Sequence, residues 1–209
     1  AVSATAQIRP VESLPIAVNY SKTIHLIFPS AVKYSQAVTD FVAVDNPENV
    51  PHILRIKANS KSFSKQTTVS VATEGGFFYS FNVSYADSLE QTNYFLPGMT
   101  SINPDKAFIN EVSQTHLIAP EKVIYIDYGD TCINVSKAEN TENIIRMIAR
   151  TGSVQQFPKQ TNVSFATESG RFFTFNVDYR DKPDAFVYEV GEKKPEKKAN
   201  VILTDNIIP

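Results

Sequence analysis

The sequence predicts an all-β protein made of two tandem, internally repeated β-sandwich modules. Three observations carry this reading. Lys65 to Asp87 reads KQTTVSVATEGGFFYSFNVSYAD and Lys159 to Asp181 reads KQTNVSFATESGRFFTFNVDYRD, identical at 15 of 23 positions without a gap. Within the first of these stretches Phe77, Tyr79, Phe81, Val83 and Tyr85 fall on one face of a strand, and Ser80, Asn82 and Ser84 on the other. The 14 Phe and 9 Tyr, against only 7 Gly, favour half-buried pleated surfaces, where aromatic rings fit.

In chain order, residues 1–18 read as an extended N-terminal arm, because Pro10 and Pro15 exclude a helix interior and suit an edge strand. Small residues at Ala4 and Ala6 look like the end of a cleaved secretion signal, so export is expected. Residues 19–90 form the first module. Its opening segment, with HLIFPSAVKY, returns as HLIAPEKVIY at the start of the second module, residues 110–190: a short strand, a Pro corner and a second strand. Phe41 to Val44 and ILRIKA (Ile53 to Ala58) supply further strands, mirrored by Ile133 to Val135 and IIRMIA (Ile144 to Ala149). The first copy carries three extra residues, Val50 to His52, at a turn, where length changes are tolerated.

The turns Thr73-Glu74-Gly75-Gly76 and Thr167-Glu168-Ser169-Gly170 close the duplicated hairpin. Gly at the last turn position of both copies points to a type I turn followed by a left-handed residue and a bulge. Residues 91–109 read as a connector with a short strand near Tyr94, and Phe186 to Val190 as a late strand. Residues 191–209 read as a charged linker ending in the β-forming VILTDNII. Each repeat is about seventy residues, a size of marginal stability, so arm and connector strands are expected to complete the modules, or the modules to pack on one another.

Composition narrows function. A net charge of -2 supplies no basic field for nucleic acid. One cysteine, Cys132, makes neither an internal disulfide nor a Cys-rich metal site, and reads as a buried thiol. Motifs for phosphate loops, dinucleotide binding, zinc proteases and serine hydrolases are missing. His25 and His116 occupy the same repeat position and read as structural histidines in different modules. Glu74 and Glu168 sit at the tips of separate hairpins, unlike the paired acids of a glycosidase. No catalytic, metal-binding or cofactor-binding residue is assigned, and no cofactor is expected. The duplicated polar face differs between the copies: Ser80 and Ser84 become Thr174 and Asp178, while Asn82 and Asn176 stay. That face is where the copies would meet different partners.

The combined pattern of HLIFPSAVKY, NPENVPHILRIKA and TTVSVATEGGFFYSFNVSYAD resembles the TraN family of conjugative transposon proteins of Bacteroidetes. More distantly, it is similar to the amino-terminal β-sandwich of TrbG-type subunits of type IV secretion channels. The second copy departs from it at Ala119, in place of Phe28, and at Arg171, in place of Phe77. The resemblance implies a non-catalytic cell-envelope scaffold of a conjugative DNA-transfer apparatus, periplasmic or outer-membrane associated. It would be built from immunoglobulin-like sandwiches. Its partners would be other subunits of the apparatus, including further copies of itself, with no nucleic acid or small-molecule substrate. Candidate partner-binding residues are Val201, Ile202 and Leu203 of the tail, as a strand donor, with Asn82 and Asn176 on the polar faces. The other reading is an exported adhesin or carbohydrate-binding sandwich, with Phe78, Phe172, Tyr94 and Phe95 as exposed aromatics.

Overall fold

The computed structural model describes residues 12–98, 104–152, 157–158 and 160–191 of the 209-residue chain. The first module holds β1 (Ser13–Val18), β2 (Ile24–Ile27), β3 (Val32–Ala37), β4 (Val42–Asp45), β5 (Ile53–Ala58), β6 (Thr67–Thr73), β7 (Phe78–Tyr85) and β8 (Asn93–Phe95). The second repeats them as β9 (Asp105–Ile109), β10 (Thr115–Ile118), β11 (Val123–Tyr128), β12 (Ile133–Lys137), β13 (Ile144–Ala149), β14 (Thr161–Thr167), β15 (Phe172–Tyr179) and β16 (Val187–Glu189). Each module is a sandwich of two four-stranded sheets. The first has β1-β7-β6-β3 over β4-β5-β2-β8, and the second has β9-β15-β14-β11 over β12-β13-β10-β16.

The described parts of the arm and connector, residues 12–18, 91–98 and 104–109, supply strands to the modules. β1 lies parallel to β7, with Pro15 opposite Asn82, and β9 lies parallel to β15 in the same way. An edge strand bonds on one side only, which is why Pro15 is tolerated there. β8 and β16 pair in parallel with β2 and β10, so the expected connector of residues 91–109 contributes one strand to each module. The expected arm of residues 1–18 likewise contains an integral strand. Residues 201–203, named as a strand donor, lie outside the described residues.

The hairpin turns follow the expected chemistry. Gly76 and Gly170 have φ of 81° and 84°. Their amides donate to the Thr73 and Thr167 carbonyls at 3.0 and 2.8 Å. Both turns are then tied to the Pro corner: Glu74 N donates to Ala31 O and Glu168 N to Lys122 O. Beyond the turn, Tyr79, Phe81 and Val83 are buried, as are Phe175 and Val177 of the second copy. Phe77, expected on the core face, precedes β7 and is 57% exposed, because the turn ends there and the ladder starts one residue later.

Each sandwich has its own core, around Phe81, Leu26 and Leu54 in the first and Phe165, Leu117 and Met147 in the second. A third cluster joins them. Ile27 and Ile53 pack against Tyr125 and Ala166, with Phe172 against the group, so the inner sheet of one module faces the inner sheet of the other. The four sheets therefore stack as four layers, which leaves the outer faces of β1-β7-β6-β3 and β12-β13-β10-β16 at the two ends.

Candidate functional site

The polar residues that could carry chemistry converge on the module junction. On the first module, the loop between β1 and β2 carries Ser21, Lys22 and Thr23 against the start of β14. Asn162 clamps this loop through both halves of its amide: Oδ1 accepts from Thr23 N, and Nδ2 donates to Thr23 O, each at 3.0 Å. Thr161 Oγ1 adds a bond of 2.8 Å to Ser21 O. Gly129 makes this approach possible, since a Cβ there would lie 2.5 Å from both Asn162 Oδ1 and Ser21 O.

Lys22 is buried beside this clamp. Its ammonium donates to Leu89 O at 2.6 Å, Gln160 Oε1 at 2.5 Å and Asn176 Oδ1 at 3.0 Å. Three acceptors satisfy its three donors, the condition for burying a lysine. Desolvation still pulls its pKa down to about 8, against the opposing pull of Asp178. Further along the junction, His25 is fully buried with Nε2 3.0 Å from Tyr125 Oη and 3.6 Å from Asp127 Oδ2. The Phe172 ring lies 4.9 Å from the imidazole, centroid to centroid. Arg55 donates to Asp127 across the junction at 2.7 Å and also holds Asp45 on its own module. Burial pushes the His25 pKa down to about 3, with the Arg55 charge adding to the effect. Burial raises the carboxyl of Asp127 while Arg55 lowers it, and the first effect is the larger.

Histidine, aspartate, tyrosine and arginine together resemble a catalytic constellation, but here the histidine has no exposed surface and the four side chains span two modules. What they do is fix one module against the other. Among the described residues, no group of three or more His, Cys, Asp or Glu is placed to hold a metal ion. Cys132 is buried, and burial, with Asp130 beside it, pushes its thiol up to about 12.

The candidate partner residues separate. Asn82 is exposed on the outer face of β7, whereas Asn176, its repeat counterpart, is 5% exposed and bonded to Lys22 inside the junction. Asn176 therefore serves the chain's own junction. Of the aromatics, Phe78 is exposed and Tyr94 packs on the first core. Phe95 and Phe172 line an open groove of about 710 Å³ at the edge of the junction, with Arg171, Asp105 and Glu189 around them. Sequence reasoning missed Lys22, Thr23 and Asn162. The signal that could have found them is repeat divergence: the first copy has Lys22 and Thr23 where the second has Ser113 and Gln114, and the second has Asn162, Asp127 and Gly129 where the first has Thr68, Gln36 and Val38.

Both halves of the repeat, residues 16–89 and 109–183, match one family of domains of unknown function, DUF8473. The chain belongs to that family. No curated protein matches it. Among solved structures, the tandem immunoglobulin domains of titin align at 10% identity and a TM-score of 0.23, covering 81% of this chain and 95% of that one. An endo-fucoidan hydrolase of glycoside hydrolase family 107 aligns at 7% identity and a TM-score of 0.26, over 81% of this chain and 28% of the hydrolase. The SGBP-B protein of the Bacteroides ovatus mixed-linkage glucan utilization locus aligns at 9% identity and a TM-score of 0.22, over 86% and 46% of the two chains.

Proposed function

We propose that this DUF8473 protein is a non-catalytic assembly component, a rigid double sandwich that presents sheet faces and edges to other proteins. One observation carries this: His25 is fully buried against Tyr125 of the other module, and Arg55 bonds Asp127 across the junction, so these groups fasten one module to the other. A protein that commits a buried lysine and a buried histidine to holding two sandwiches in one orientation is suited to act as a spacer. The resemblance to TraN-type proteins supplies the setting, a conjugative DNA-transfer apparatus of the cell envelope. Tagged protein purified from the envelope of its native host is expected to bring down subunits of that apparatus, and less of them after removal of residues 199–209. Recovery of the tagged chain with no envelope protein would overturn the reading.

The groove beside Phe95 and Phe172 supports a second reading, glycan binding, because two aromatic rings at a half-open cleft with charged rim groups suit a sugar face. Its test is a glycan array: a hit abolished by Phe95→Ala supports it, and an empty array removes it.

A further inference from the structure

We propose that the protein assembles head to tail with copies of itself. The outer face of β1-β7-β6-β3 would dock on the outer face of β12-β13-β10-β16 of a second copy, in the arrangement that already joins its two modules. This deepens the assembly reading above and names the partner of the two end faces.

The repeat makes the argument. The apolar centre of the junction is Ile27 and Ile53 on one sheet against Tyr125, Ala166 and Phe172 on the other. At the equivalent positions, the outer face of the second module carries Ile118 and Ile144, and the outer face of the first carries Tyr34, Ala72 and Phe78. All five residue types are the same. His25 and Arg55, which meet Tyr125 and Asp127, have His116 and Arg146 as counterparts. Outward positions of a sandwich strand are ordinarily polar, so folding alone gives no reason for the set to be present. At the junction these residues are covered; on the end faces Tyr34 is 47% and Phe78 52% exposed, and Ile118, Ile144 and His116 are half-buried.

Burial along the strands shows the same relation. β6 alternates buried and half-buried residues, whereas its counterpart β14 is buried at every position. β10 alternates where its counterpart β2 is buried throughout. In each pair the strand with alternating burial belongs to an end face, and the difference is the cover that the other module supplies.

The end faces also depart from the junction in ways that define the contact. Gly129 has Val38 as its counterpart, so the close approach to the loop before β2 cannot repeat. Val38 would instead meet the corresponding loop at Val112, and these two valines are 70% and 86% exposed. Phe95 and Ile124, at the margin of the junction, become Glu189 and Lys33, which carry opposite charges onto the two faces. Gln36 replaces Asp127 and still offers Arg146 an acceptor. Val50 has no counterpart, because the second copy lacks that insertion. The intermolecular contact is thus a looser relative of the internal one. It also lacks the tether that raises effective concentration within the chain, so it forms reversibly. Because each copy offers one face of each kind, the contact is heterologous and propagates into a ring or a filament.

Sedimentation velocity on the full chain tests this, with Phe78→Glu to block one face and Ile118→Glu or Val187→Glu to block the other. The wild-type weight-average mass is expected to rise with concentration, each variant alone to stay monomeric, and a mixture of the two classes to reach twice the monomer mass. Circular dichroism checks that each variant is folded, and Val187→Glu, at an exposed position, serves if Ile118→Glu is not. A wild type that stays monomeric at every soluble concentration overturns the proposal, as does a folded variant that associates like wild type or a mixture that stays monomeric. A monomeric chain that still recovers envelope subunits would sink only the self-assembly, leaving the scaffold reading in place.

Discussion

His25 shows how a titratable residue can be used for its shape and its neutral hydrogen bond. Fully buried between Tyr125, Phe172 and Asp127, it cannot gain a proton without paying a desolvation cost, and its folded pKa sits near 3 against about 6.5 in the unfolded chain. Between those values the unfolded state binds the extra proton, so stability falls as pH drops below about 6.5, by up to about 1.4 kcal/mol per pH unit for one proton. Asp127 works the other way. Its folded carboxyl is raised, so the folded state takes up a proton first as acid is added, which softens the loss. Urea unfolding at pH 7 and pH 5 is expected to show a drop in wild-type stability and a smaller drop in His25→Gln. Equal drops in the two proteins would show that His25 does not carry the acid sensitivity.

At the scale of elements, the duplicated hairpin was the most legible part of the chain. The turn glycines, the alternation of Tyr79, Phe81 and Val83, and the strands flanking the Pro corner are set by residues close in sequence, and local sterics plus period-two burial suffice to place them. β1 and β9 were less legible, since a parallel edge strand contributes little alternation of its own and gains its identity from the neighbour it joins. The polar face of β15 shows the limit most clearly. Thr174 and Asn176 read as a wet or partner-binding surface, and both choices are consistent with a polar row. What decides between them is that Thr92, Lys22 and the β1–β2 loop of the other module arrive from far away in the chain, with Thr92 Oγ1 3.4 Å from Thr174 Oγ1. No local pattern encodes such a meeting. The divergence of the two copies at that face does mark it, because residues free to drift in solvent and residues fitted to a fixed neighbour leave the repeat in different directions.

Taken whole, the molecule is a four-layer stack in which each sandwich has its own core and the junction adds an apolar cluster and a set of polar bonds to both. The modules are therefore expected to unfold together in a single calorimetric transition. Gly129 is the position at which to break the coupling with the least disturbance to either core. It is not in the left-handed region, so alanine brings no backbone penalty, and the whole effect comes from a Cβ placed 2.5 Å from Ser21 O and 2.8 Å from Lys22 Cα, both backbone atoms. Neither can rotate out of the way, so the β1–β2 loop must withdraw from β14, releasing the Asn162 clamp. Overpacking of this kind costs about 1–3 kcal/mol. Differential scanning calorimetry of Gly129→Ala is expected to show a lower midpoint and a transition that broadens or divides, one component for each sandwich. An unchanged single transition would mean that the close approach of the β1–β2 loop at Gly129 does not carry the coupling between the modules.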